Sequence, residues 1–176
     1  IYDRAVPPAE AVELFDRFIT ELTDTLPKLS VMLIAGNHDS GPRVGCLNAI
    51  LSRQNVHMIG QPPRTKEEYM EKVVLRDQYG PVNFYLLPFV RPSMARRAVG
   101  DEEERALSYE ETLRRLIARE TLDPAQRNVI VSHQFYLPSG SRPEDIERMD
   151  SEIPTVGNID AVPADILEPF DYGALG

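Results

Sequence analysis

Cysteine is almost missing from the 176 residues. Cys46 stands alone, so no internal disulfide can form, and without Cys or His neighbours at ligand spacing a zinc finger is excluded. Long apolar runs are missing too. None approaches the roughly 18 to 20 residues needed to span a bilayer, and no basic-then-apolar leader opens the chain, so a cytoplasmic location is expected. There is no surplus of positive charge: 19 Lys and Arg against 28 Asp and Glu give a net charge of −9. That excludes a globally basic surface for non-specific nucleic-acid binding, although a local patch can still hold phosphates. A Gly-x-Ser-x-Gly elbow, a Gly-Lys-Ser or Gly-Lys-Thr phosphate loop and a Gly-x-Gly-x-x-Gly fingerprint are also absent. Their absence argues against a serine hydrolase, a P-loop NTPase and a Rossmann dehydrogenase.

What is present is the composition of one soluble globular domain, 42% hydrophobic and 27% charged, too apolar for disorder. The chain opens at Ile1 in an expected loop and stops at Gly176 in an expected strand. It is therefore read as the central part, residues 1–176, of a single domain truncated at both ends.

Apolar residues from Pro7 to Leu26 recur at helical spacing, with prolines opening and closing the segment. Their arc is wider than one core-facing stripe, so the helix is either wedged deeply in its own core or meets another chain. Ser30 to Ala35 is a short continuous apolar run, expected of a strand buried on both faces. Val44 to Gln54 reads as a second amphipathic helix with Leu47, Ile50 and Leu51 on one face. Lys72 to Arg76 and Asn83 to Val90 are strand patterns around a Gln78 to Pro81 turn, hence a hairpin. Leu107 to Glu120 is a helix opened by a Ser108/Glu111 capping box. Asn128 to Ser132 is a second buried-strand pattern, and Phe170 to Leu175 begins another. Asp101 to Glu104 and Pro138 to Asp150 read as solvated loops, and Pro163 to Leu167 as a brief helix. The class is α/β, a central β-sheet core flanked by helices.

The strongest chemical signal is Gly36-Asn37-His38-Asp39, between a buried strand and a helix, where ligands gather in open α/β sheets. An Asn oxygen can ligate a hard divalent metal, and a nearby His can contact phosphate or protonate a leaving alkoxide. The alternative is an ordinary turn in which Asn37 and Asp39 satisfy their own backbone. His133, at the end of the second such strand, is a plausible second ligand beside Asn37. His57 reads as structural or exposed in a helix-to-strand connection, and Cys46 as a small packed residue on the second helix. Arg91, Arg96 and Arg97 form a small basic cluster that is either solvated or touches a phosphate backbone.

Together these residues resemble the calcineurin-like metallophosphoesterases, and within them the branch of SbcD-type bacterial DNA-repair nuclease subunits. The marks are Ile1-Tyr2-Asp3 followed by Pro7-Pro8 and a helix, Val31 to Ser40 (VMLIAGNHDS), Leu87 to Pro92 (LPFVRP), Val131-Ser132-His133, and Asp171 to Gly176 (DYGALG). They run across essentially the whole chain. The resemblance implies a metallophosphoesterase-type layered fold and a two-metal, usually Mn2+-dependent, phosphodiesterase. It implies Asn37 and His133 as metal ligands, and His38 as a catalytic group that contacts the scissile phosphate and assists the leaving oxygen. It also implies DNA as substrate, an ATPase partner, and a homodimer through helices 8–26 and 44–54.

The family's Asp-x-His, bridging Gly-Asp and Gly-His-x-His are not in these 176 residues. Only Asn37 and His133 of the usual ligand set remain, so the chain as written is expected to leave the metal site nearly empty and to be inactive alone. Two other readings stay open: a phosphodiesterase acting on nucleotides or phosphoproteins, and a non-catalytic scaffold that folds and dimerises.

Overall fold

The period-two alternation along the strands sorts the apolar side chains onto opposite faces, and this sets the layers. The computed structural model describes residues 1–100, 107–138 and 161–176. The acidic run 101–104 and the loop 139–150 expected from sequence lie outside them.

Helix α1 (Ala9–Thr25) leads to β1 (Val31–Ile34), two short helices α2 (Gly41–Val44) and α3 (Asn48–Leu51), and β2 (Val56–Ile59). Then come β3 (Glu71–Asp77), β4 (Gly80–Leu87), α4 (Pro92–Ala95), α5 (Tyr109–Ala118) and β5 (Arg127–Ser132). The last described elements are β6 (Tyr136–Leu137), β7 (Val162–Pro163), a 3-10 turn (Ala164–Leu167) and β8 (Tyr172–Leu175). Strands β1 and β2 pair in parallel, with Val31 opposite Val56. A mixed sheet runs β3-β4-β5-β8, antiparallel at β3-β4 and parallel elsewhere. Strands β6 and β7 pair separately.

Val31, Leu33, Val56 and Met58 pack outward with Phe15 and Ile19 of α1. Met32, Ile34 and Ile59 face the other way and meet Val73, Leu75, Phe84, Leu86 and Val131 of the mixed sheet. On the far face of that sheet Tyr85, Leu87 and Ile130 pack against Leu113, Leu116 and Ile117 of α5. The order of layers is therefore helix, sheet, sheet, helix. Each fully buried Leu or Ile contributes on the order of 1.5–3 kcal/mol, and most of these lie under α5.

The hairpin and α5 match expectation. Gly80, at φ 112°, closes a two-residue turn, a conformation that costs glycine little. Ser108 accepts from the Glu111 amide while the Glu111 carboxylate accepts from the Ser108 amide, a complete capping box. β5 and β8 also fall where the apolar runs end, and Pro163 to Leu167 becomes the 3-10 turn.

Five readings are corrected, the deep-wedge alternative for α1 among them. β1 is half-buried throughout rather than buried on both faces, because it pairs on one side only among the described residues. α1 has no buried residue: Phe15 and Ile19 touch the core, while Val12, Leu14 and Phe18 stay 44%, 57% and 56% exposed. The helix 44–54 is broken into α2, α3 and a 3-10 turn. Gly41 and Gly45 lie against the Gly60 backbone, and the Asn48 side chain turns inward to accept from the Met58 amide at 2.8 Å. Leu47 and Ile50 consequently remain exposed. Finally, His57 lies within β2, with a buried Nδ1 that has no hydrogen-bond partner among the described residues, and Cys46 is exposed in the turn between α2 and α3.

Candidate metal and phosphate site

At their carboxyl ends, backbone hydrogen bonds tie β1 to β2 and β4, and β5 to β8, while β4 pairs with β5 up to Leu87 and Ser132. The Ala35 amide donates to Ile59 at 3.0 Å, the Phe89 amide to Ala35 at 2.9 Å, and the Gly176 amide to Ser132 at 3.1 Å. The loop 36–40 and His133 therefore share one edge of the layered core.

The two polar ends of the Gly-Asn-His-Asp segment behave differently. Asp39 closes the turn, accepting from the Gly36 amide at 2.8 Å while its own amide donates to Gly36 at 3.3 Å. It also accepts from the Tyr2 amide and the Ile1 nitrogen, each at 2.9 Å, which ties the opening segment to the loop. Burial pushes the Asp39 carboxyl up, but these hydrogen bonds outweigh burial and hold it below the usual carboxylate range. For Asp39 the ordinary-turn reading is thus correct.

Asn37 does not serve its own loop. Its Oδ1 accepts from His133 Nε2 at 3.2 Å, across 96 positions of chain. The imidazole fits because of glycine on both sides. A Cβ at Gly36 would stand 3.1 Å from Nε2, and one at Gly176 would stand 3.1 Å from Nδ1. The Phe89 ring meets the imidazole edge-on, 6.2 Å between centres at 73°.

His38 is held from another direction, with Nδ1 at 3.0 Å from the Asp3 carbonyl oxygen. A carbonyl oxygen only accepts, so Nδ1 carries the hydrogen and Nε2 is left for other chemistry. The sequence flagged Asn37, His38 and His133. It did not flag the Asp3 carbonyl or Phe89, whose signal was their place in the Ile1-Tyr2-Asp3 and Leu87-to-Pro92 segments.

Two donors on one small divalent cation, with bonds of about 2.1 Å at a right angle, stand about 3 Å apart. The Asn37–His133 spacing of 3.2 Å fits such a pair; the amide oxygen suits a hard cation such as Mn2+, and the imidazole suits a borderline one such as Fe2+ or Zn2+. Among the described residues no group of three or more His, Cys, Asp or Glu is placed to hold a metal ion. Elsewhere on the described surface, a groove of about 510 Å³ lies along α1, lined by Tyr2, Leu14, Phe15 and Phe18 among others. No described helix is long and apolar enough to cross a membrane. No protein-family model matches the chain.

Proposed function

We propose that the chain belongs to a calcineurin-like metallophosphoesterase of the SbcD type. Such a protein is a Mn2+-dependent DNA exonuclease and endonuclease subunit that works on double-strand breaks and hairpins with an SbcC-type ATPase. The observation that carries this reading is the meeting of Asn37 Oδ1 and His133 Nε2 at 3.2 Å from two separate strand ends. The helix-sheet-sheet-helix layering supports a metallophosphoesterase-type fold.

Asn37 and His133 would hold one cation, which when bound supplies Lewis-acid polarisation of the phosphate and activation of water. His38 would act on the phosphate directly. With Nδ1–H donated to the Asp3 carbonyl, Nε2 is the ring nitrogen that would face the phosphate, and in the protonated ring it would donate to a phosphoryl oxygen and pass its proton to the leaving alkoxide.

The test compares Mn2+-dependent cleavage of duplex DNA and of bis(p-nitrophenyl) phosphate by the full-length protein and its His38→Ala variant. The variant should keep Mn2+ affinity and lose about 10²–10⁴-fold in turnover. Equal loss of metal binding would contradict the assigned role. Cleavage of the small diester with none of the duplex would favour a nucleotide or phosphoprotein phosphodiesterase.

The exposed Leu14 and Phe18, one turn apart on α1, form the face through which two copies would pair. An apolar stripe of this kind beside a groove is a common dimer surface. Leu47 and Ile50, from the 44–54 segment, extend the exposed apolar set.

A further inference from the structure

The segment after β4 brings a cation to the rim of the candidate site. Arg91 precedes a proline and is extended, at φ −98° and ψ 139°, as the proline ring requires. In an extended segment alternate side chains take opposite sides. Val90 turns inward, 1% exposed, and its carbonyl accepts from the buried Gln134 side chain at 3.0 Å. Phe89 and Arg91 share the other side. The Arg91 guanidinium carbon lies 5.7 Å from the centre of the Phe89 ring, and that same ring abuts His133.

Arg127 is committed to Asp77, and Arg114 to Glu110 and Asp165. Arg91 is exposed and has no ion pair among the described residues. The cation–π contact with Phe89 restricts the guanidinium's motion without using its N–H groups on a carboxylate, so they remain for an acceptor. Their fork suits the paired oxygens of a phosphate. In a chain of net charge −9, a guanidinium without a carboxylate partner beside a phosphate site stands out electrostatically.

We infer that Arg91 binds a backbone phosphate adjacent to the one held at Asn37, His38 and His133, so that the site selects a polynucleotide over an isolated phosphodiester. This rests on the phosphodiesterase reading above and adds a substrate-binding residue to it.

Fluorescence anisotropy with a labelled blunt DNA duplex, run over a range of salt concentrations, tests it in the full-length protein. Arg91→Ala should weaken duplex binding roughly 3- to 10-fold and reduce the slope of log K against log salt by about 0.9. Arg91→Lys should keep the slope and lose part of the affinity, having charge without the planar fork. Mn2+ affinity, melting temperature and hydrolysis of bis(p-nitrophenyl) phosphate should match wild type in both variants. A wild type that binds the duplex with Arg91→Ala unchanged in affinity and slope overturns the assignment and leaves the phosphodiesterase reading standing. A wild type that does not bind the duplex also overturns it. Retained Mn2+ binding would then spare the broader reading, and its absence would remove both.

Discussion

Gly60→Ala would strike the contact on which the placement of the candidate loop depends. Gly60 follows β2, and its backbone lies directly against α2, the short helix that begins where the Gly-Asn-His-Asp loop ends. A Cβ at Gly60 would stand 2.8 Å from the Gly41 carbonyl carbon and 2.8 Å from the Gly45 nitrogen, and would overlap the Gly41 carbonyl oxygen outright. Nonbonded carbon contacts are comfortable at about 3.5–4.0 Å, so α2 must move away by well over half an ångström. All the atoms met are backbone, and none can rotate aside. Overpacking of this kind typically costs about 1–3 kcal/mol and more where the neighbour cannot yield, and the upper end applies here. The small entropic gain of Gly→Ala in the unfolded chain, about 0.4–1 kcal/mol, does not offset it. We expect urea denaturation to give a loss of about 2–3 kcal/mol at an unchanged m-value. Mn2+ affinity should fall with it, because α2 is continuous with the loop carrying Asn37. A stability within about 0.5 kcal/mol of wild type, the usual range for neutral surface changes, would refute the close glycine packing.

Two further outcomes follow from other parts of the fold. Asp77 receives a two-pronged hydrogen bond from Arg127, at 2.8 and 2.6 Å, which with the Tyr79 amide lowers its carboxyl from 3.8 to about 2. A depressed carboxyl stabilises the fold above its unfolded value and loses that contribution as pH falls through the folded one. The gap in melting temperature between wild type and Asp77→Asn should therefore be constant above pH 3.8 and close towards pH 2; a gap independent of pH would refute the pairing. Phe18→Glu should convert a dimer to a monomer by light scattering without lowering the monomer's melting temperature, since Phe18 is 56% exposed. A wild-type monomer mass, or an undisturbed dimer in the variant, would reject α1 as the interface.

The elements that were legible in sequence are those whose signals are local. Ser108 and Glu111 fix the start of α5 through bonds within one turn, and Gly80 with Pro81 marks the hairpin where Gly80 takes a positive φ. Strand runs such as Asn128 to Ser132 declare themselves because both faces are covered. The break at Gly45 to Leu47 was not legible, because the helical spacing of Leu47, Ile50 and Leu51 persists while the cause is a contact with Gly60. The exposure of Cys46 follows from the same break. Half of α1's apolar arc has no visible partner for a similar reason: periodicity reports that a face is apolar, not what covers it.

The candidate site divides in the same way. Asn37, His38 and His133 were legible because each stands at a strand end beside glycine or an apolar run. The division of labour within Gly-Asn-His-Asp was not, since Asp39 and Asn37 are equally able to bond their own backbone. Only the fold shows Asp39 closing the turn while Asn37 reaches His133. The contact of Phe89 with His133 likewise depends on β4 and β5 being neighbours.

The most direct measurement is a calorimetric titration of Mn2+ into the full-length protein, repeated with Asn37→Ala, His133→Ala and His38→Ala. If the Asn37–His133 pair is a metal-ligand pair, the first two substitutions should weaken binding by at least about tenfold, and His38→Ala should leave it unchanged. Absent binding in the wild type, or binding indifferent to both Asn37→Ala and His133→Ala, would contradict the account.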